Sequence, residues 1–209
     1  MPRKAFTLLE LLMTVGVLAI LLLFAGHTVR KNMTHQQLTL ALRILENFLS
    51  LAITTARLEH VYVRILWDVA DPSSGREPQL FLLSSTKIGP SAEWKLCRTE
   101  YLPEHCRFFT QVGSDKFQAG DIVNVSEDWI TGVSTTFASG TIPLREWLFD
   151  SSGELMDAEG GVPPYRSIGI GYGKIQSPLG CVLVNANGHI QLYEGIETVQ
   201  DVLSKIKLL

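Results

Sequence analysis

The apolar and polar positions change their pattern twice along the chain, and the first pattern is a long apolar segment. Between Leu11 and Val29 there is no Asp, Glu, Lys or Arg, a run of 19 residues. A helix needs about 20 apolar residues to cross a bilayer, and basic residues flank this run on both sides. The pattern therefore predicts a membrane-spanning helix, with a single carboxylate, Glu10, near its start.

The second pattern is an amphipathic one that follows the apolar run. Small and aliphatic residues recur at spacings of three and four, namely Leu38, Leu42, Leu45, Leu49, Ala52 and Ala56. This period is typical of a helix with one buried face. No proline interrupts residues 3–71, so we expect one helix from Phe6 to about Glu59, roughly 80 Å long at about 1.5 Å per residue. Two helices joined by a loop at 27–35 are the alternative.

From Val61 onward the pattern has period two and is rich in β-forming residues. The predicted strands are "VYVRILWDV", "QLFLLSS", "CRFFTQV", "DIVNV", "EWLFD", "YRSIGIGYG", "CVLVN" and "HIQLY". The stretches "DPSSGREP", "DSSG" and "NANG" carry turn signals. The final "GIETVQDVLSKIKLL" places apolar residues from Ile196 to Ile206 on one face, which predicts a short closing helix, with a frayed tail as the alternative.

Taken together, these patterns predict an α+β fold. A long amino-terminal helix, transmembrane in its first half and amphipathic in its second, packs on a mainly antiparallel β-sheet head, and a short helix closes the chain. Segments 6–29, 30–60 and 61–209 are the membrane part, its amphipathic continuation and the globular head. The remaining residues, 1–5, precede the apolar run.

Glu10 separates three interpretations of the apolar segment. A cleaved secretory signal has a shorter apolar region and a small-x-small cleavage site, which this sequence lacks. An ordinary membrane anchor gains nothing from a carboxylate, which costs about 2.5–3.5 kcal/mol at the centre of a membrane. In the third interpretation, Glu10 has a charged partner.

The stretch "KAFTLLELL" resembles the amino-terminal signature of type IV prepilins and type II secretion pseudopilins. That resemblance implies a leader, residues 1–5, that is cut between Ala5 and Phe6, after which the new amino group of Phe6 is methylated. Glu10 then occupies the fifth mature position, as in the family, and assembly is expected to place it against that ammonium group. The sequence departs from the pattern at Ala5, where the family usually has glycine.

The stretches "FDSSGEL" and "VLVNANGHIQLY" resemble the H-type minor pseudopilins and the FimT-like minor pilins, on Phe149, Asp150, Gly153 and Gly188. The resemblance implies a non-enzymatic subunit of a pilus or pseudopilus, anchored in the bacterial inner membrane with its head in the periplasm. The implied partners are prepilin peptidase, other pilin or pseudopilin subunits, an inner-membrane assembly platform and, before assembly, membrane lipid. A membrane-anchored binding module outside any filament, or a DNA-uptake minor pilin, remains an alternative.

The remaining chemistry gives few signals. A net charge of -3 does not suggest a general nucleic-acid binder, and basic head residues are scattered at Lys174, Arg166, Lys205 and Lys207. Cys97 and Cys106 are candidates for a small disulfide loop in an oxidising compartment, with free thiols or a metal site as alternatives. "GIGYGK" fails the phosphate-loop spacing. We expect no metal, no cofactor and no enzyme, and we expect the acidic residues at 150–159 to be solvated, with calcium as the alternative.

Overall fold

A computed structural model describes residues 8–68, 78–89, 92–109, 111–112, 115–117, 120–125, 142–157, 160–172 and 179–196. Helix α1 (Leu8–Glu59) is continuous. The prediction of a single helix is therefore confirmed, and the alternative of a loop at 27–35 is wrong. The chain divides into two units between Gln36 and Gln37.

The head consists of short strands, all paired in antiparallel fashion. They are β1 (Tyr62–Asp68), β2 (Gln79–Ser85), β3 (Lys95–Tyr101), β4 (Cys106–Phe109), β5 (Gln111–Val112), β6 (Asp115–Lys116), β7 (Asp121–Val125), β8 (Ile142–Phe149), β9 (Leu155–Met156), β10 (Tyr165–Tyr172), β11 (Leu179–Asn185) and β12 (Ile190–Ile196). In the first sheet the order is β3-β2-β1-β8-β7, with β9 beside β8. The order in the second sheet is β12-β11-β10-β4, and β5 and β6 form a separate hairpin. The predicted α+β class is confirmed.

The core of the head lies between the second half of α1 and the two sheets. The helix contributes the predicted stripe, whose six residues from Leu38 to Ala56 are all buried, and Ala41 and Phe48 are buried beside it. Trp67 on β1 joins the two sheets. Its ring centroid lies 4.9 Å from that of Trp147 on β8, in an edge-on arrangement, and 6.4 Å from that of Phe108 on β4. On β11, Gly180 lets the sheet approach the helix, since a Cβ there would lie 2.6 Å from Leu42 Cδ1.

Helix α1 ends in a left-handed residue that is not glycine. His60 has φ 52°, and the Val61 N–H donates to the Ala56 carbonyl at 3.3 Å. This bond spans five residues, as in the Schellman type of helix termination. Since β1 begins at Tyr62, this cap fixes the point at which the helix passes into the first sheet.

The first sheet also has a buried outer face, which the sequence patterns do not predict. Its members are Leu66, Phe81, Leu83, Trp94, Leu144 and Leu148. Because β1, β2 and β8 carry apolar residues at both parities, both faces of these strands lie inside the head.

Two predictions of secondary structure need correction, one for a strand and one for the closing helix. β3 is absent from the predicted set because it is an edge strand whose side chains are mostly exposed and polar. The predicted closing helix began at Gly195, but Gly195 and Ile196 belong to β12, and the Ile196 backbone pairs with Leu179 of β11. The remainder of that predicted helix lies outside the described residues.

Candidate functional site

The first part of α1 presents apolar side chains on all sides. Every large hydrophobic side chain between Leu8 and Leu23 is at least half exposed, from 55% at Ile20 to 78% at Leu8. The one hydroxyl in the segment is satisfied locally, since Thr14 Oγ1 donates to the Leu11 carbonyl at 2.8 Å. A surface of this kind is stable in a bilayer or among other apolar helices, because in water these apolar side chains would remain exposed to the solvent, which is unfavourable.

Glu10 lies in the first turn of α1, with its side chain exposed. A carboxylate there interacts favourably with the helix macrodipole. Residues Ala5 and Phe6 lie outside the described residues, so the predicted cleavage, methylation and pairing with Glu10 remain predictions.

Among the described residues, one length of α1, Met33–Glu59, is long and apolar enough by composition to span a membrane. We assign its residues 37–59 to the head, because their buried stripe packs on both sheets and charged residues such as Arg43 and Glu46 occupy the outer face. Leu8–Leu23 is shorter than a full span as described, at about 24 Å. The helical backbone continues beyond Leu23, through the uncharged residues that extend to Val29.

The last turn of α1 is tied to two turns of the head by Arg57. Its Nε donates to the Ser152 carbonyl at 2.8 Å, and its Nη2 donates to the Asn187 carbonyl at 3.0 Å. Glycines allow these turns to approach, because Gly153 and Gly188 have φ values of 77° and 76°. A Cβ on Gly153 would lie 2.6 Å from Arg57 Nε. The structure thus brings together the two stretches that resemble the minor subunits.

Asp150 organises the first of these turns. Its Oδ1 accepts hydrogen bonds from the Ser152 N–H, the Ser152 hydroxyl and the Glu154 N–H, at 2.9, 2.7 and 2.8 Å. Asp157 accepts the Gly161 N–H in the same way. Both carboxylates therefore cap their own turns. In the described part of the chain no group of three His, Cys, Asp or Glu side chains is arranged to hold a metal ion.

The candidate disulfide is not formed, since Cys97 and Cys106 are free thiols on different sheets. Cys97 is exposed on β3, where the pairing with β2 shifts register, and its Sγ lies 3.1 Å from the Ser84 hydroxyl. Cys106 is buried on β4 and its Sγ faces the Gln37 carbonyl at 3.6 Å. Burial raises the pKa of Cys106 to about 11 and the pKa of Cys181, in β11, to about 12.

The first four residues of the stretch "GIGYG", Gly169–Tyr172, lie in β10, as the failed phosphate-loop spacing suggested. Gly169 and Gly171 share one face of this strand, and aromatic rings lie against both. A Cβ on Gly169 would meet the Phe117 ring at 2.6 Å, and one on Gly171 would meet the Phe109 ring at 2.5 Å. These glycines thus make room for aromatic packing.

A buried ion pair on the outer face of the first sheet was not predicted. Arg64 Nε of β1 lies 3.0 Å from Glu146 Oε2 of β8, and the Trp94 ring stacks on the guanidinium at 4.2 Å. Burial lowers the pKa of Arg64, and the Glu146 carboxylate partly opposes that effect. A sequence signal existed, because the alternation in β1 places Arg64 on the same face as Leu66, but the partner 82 residues away could not be identified.

Comparison with known proteins identifies the amino terminus. A family model described as the prokaryotic N-terminal methylation motif matches residues 1–26. The prediction of a prepilin-type amino terminus is therefore confirmed. No curated protein sequence matches the chain.

Among solved structures, the chain is similar to the type IV minor pilin FimU of Pseudomonas aeruginosa. The identity is 16%, over 75% of this chain and 88% of that chain, with a TM-score of 0.41. It is also similar to the minor pseudopilin EpsH of the type 2 secretion system of Vibrio cholerae. Two EpsH structures match at 14% and 13% identity, over 78% of this chain and 99% of theirs, with TM-scores of 0.43 and 0.45. At these scores the alignments carry no further conclusion.

Proposed function

We propose that the protein is a minor pilin or pseudopilin, a structural subunit of a type IV pilus or type II secretion pseudopilus. The observation that carries this proposal is the match to the methylation motif over residues 1–26, a range that includes the exposed apolar helix Leu8–Leu23. Such a helix is stable in lipid before assembly and among neighbouring helices afterwards.

In this proposal, prepilin peptidase cuts between Ala5 and Phe6, and the Phe6 amino group is methylated. Cleavage creates an ammonium group at the start of the apolar segment. Glu10 neutralises that ammonium on a neighbouring subunit or on its own chain. Opposite charges attract strongly in a surrounding of low dielectric constant, and each alone is costly there, so the pair fixes the axial register of the subunit.

The same proposal places the precursor in the bacterial inner membrane, with residues 1–5 in the cytoplasm and the head in the periplasm. An inner-membrane platform and other subunits are then its assembly partners. The head acts as a non-enzymatic decorating or initiating part of the filament. Its rigid attachment to α1 through Arg57 and the helical stripe suits that task.

Mass spectrometry of the mature amino-terminal peptide tests the proposal. A peptide that begins with methylated Phe6 is the expected result. A chain that begins at Met1 or near Gly26 would contradict it and would favour a membrane-anchored binding module outside any filament. An Ala5→Gly variant serves as a matched control, because it restores the usual family residue and should be cut at least as completely.

The role of Glu10 is tested separately with Glu10→Ala and Glu10→Gln. Both variants should insert in the membrane normally but co-purify with filaments in reduced amounts, because each leaves the new ammonium without its partner. Glu10→Asp keeps the charge and should assemble better than either. Normal incorporation of Glu10→Ala would remove the registry role while leaving the cleavage result intact.

A further inference from the structure

A cavity of about 380 Å³ lies where β2 leads into β3, away from the segments that the proposed assembly uses. Its lining contains three consecutive hydroxyl residues. Together with Val61 the lining consists of Ser84, Ser85, Thr86, Lys87, Glu93 and Lys95. Its volume is within the range of small-molecule sites, about 300–1,000 Å³.

The Ser85 hydroxyl is held in place. Ser85 is only 7% exposed, and its Oγ accepts the Lys87 N–H at 3.2 Å. In the described part of the chain no acceptor takes the hydrogen of this hydroxyl. A serine hydroxyl can donate one hydrogen bond while it accepts others. Ser85 therefore has a nine-tenths buried donor available at the cavity.

The part of the lining that contains Glu93 and Lys95 is held by packing. The Ala92 N–H donates to the Gly89 carbonyl at 3.1 Å, which closes a turn at the left-handed Gly89, where φ is 115°. Two residues later Trp94, 6% exposed, stacks on the buried Arg64 guanidinium at 4.2 Å. Glu93 and Lys95 flank this anchored tryptophan, so their backbone positions in the lining are set by the outer core of the first sheet.

The cavity carries an excess of positive charge. Its lining has two ammonium groups, Lys87 and Lys95, and one carboxylate, Glu93. Among the described residues, no ion pair joins either lysine to a carboxylate. A buried hydroxyl donor at Ser85 and two ammonium groups without a carboxylate partner favour an anion.

We propose that this cavity binds a phosphate group. The two ammonium groups match the roughly -1.5 to -2 charge that a phosphate monoester carries at pH 7, and the Ser85 and Thr86 hydroxyls supply donors for its oxygens. A carboxylate offers fewer oxygens and a single charge. Glu93 opposes binding and weakens the affinity. The phosphate is either free or carried on an organic molecule.

Equilibrium dialysis of the full chain with radiolabelled inorganic phosphate tests the site. The chain is kept in a non-ionic maltoside detergent, so that no lipid phosphate competes, and ionic strength is held constant with chloride. We expect one saturable site with a Kd on the order of 1 mM. Lys87→Ala and Lys95→Ala should each weaken binding about tenfold, and Glu93→Gln should strengthen it several-fold.

The matched control is Arg43→Ala, which removes a cation on the outer face of α1 and outside the cavity lining, and should leave the affinity unchanged. Tryptophan fluorescence confirms that each variant is folded. Competition with glycerol 3-phosphate distinguishes the two sources, because a phosphate carried on an organic molecule predicts a competitor that binds more tightly than phosphate itself. Binding that does not saturate, or equal affinity in Lys87→Ala and Arg43→Ala, would overturn the proposal.

Discussion

The contact between Arg57 and the two turns yields a prediction whose size can be worked out from the structure. Arg57→Ala removes two hydrogen bonds from a charged donor, to the Ser152 and Asn187 carbonyls. Hydrogen bonds of this kind contribute about 1.5–3 kcal/mol each, but these are exposed, so water partly replaces them. We therefore expect the free energy of unfolding to fall by about 2 kcal/mol in total, which is roughly 4–8 °C in Tm for a domain of this size.

Arg57→Lys is the matched control. It keeps the charge and most of the stem, but one ammonium cannot span both carbonyls with the planar geometry of a guanidinium. It should lose about half as much stability as Arg57→Ala. Urea unfolding of the full chain in micelles, followed by tryptophan fluorescence, measures the difference, since Trp67 and Trp147 lie in the core that α1 covers.

A double-mutant cycle with Gly153→Ala makes the test sharper. The new methyl group would lie 2.6 Å from Arg57 Nε and 3.0 Å from Ile53 Cγ2, at a φ of 77°. Each single variant is destabilised, but the clash with Arg57 disappears in the double variant. The loss of stability in the double variant should therefore be smaller than the sum of the two single losses. Strict additivity, or an Arg57→Ala loss below about 0.5 kcal/mol, would refute the view that Arg57 joins the turns to the helix.

Three further outcomes are expected. His60→Gly should stabilise the head by about 0.5–1 kcal/mol in the same urea assay, because it relieves a left-handed conformation. Thr54→Gly, at an exposed position inside the helix, should instead destabilise it by about 1 kcal/mol. At pH 8, maleimide labelling counted by mass spectrometry should modify one thiol, Cys97, in the folded chain and all three in denaturant. The reason is that burial of Cys106 and Cys181 leaves at most roughly one in a thousand of these thiols ionised. Rapid labelling of all three before unfolding would contradict the buried positions. Gly180→Ala should cost about 1–3 kcal/mol, since the methyl group would overlap Leu42, and an unchanged Tm would show that the helix can move away.

The sequence was sufficient to predict features that depend on local periodicity. The helical stripe from Leu38 to Ala56 is buried as its spacing indicates, and β1 and β2 pair as the intervening turn signal suggested. The amino-terminal motif was equally accessible, because all its residues lie within a few positions of Glu10.

Features that depend on long-range pairing could not be predicted from the sequence. Arg64 and Glu146 meet only because β1 and β8 are neighbours, and no pattern in the sequence fixes that strand order. The disulfide interpretation of Cys97 and Cys106 assumed that closeness in sequence means closeness in space. The chain instead passes from the first sheet to the second between them. For the same reason, the two turns that Arg57 holds were each recognised, but their meeting was not.

The order of strands in the first sheet has a mechanical consequence. β1 follows α1 after the His60 cap and is the middle strand, paired with β2 on one edge and β8 on the other. A tensile load applied through α1 therefore enters the head at a strand that is hydrogen-bonded along both edges. Both ladders beside β1 would have to yield together, so the head resists being drawn apart far better than it would if the helix led into an edge strand, which can peel away one bond at a time.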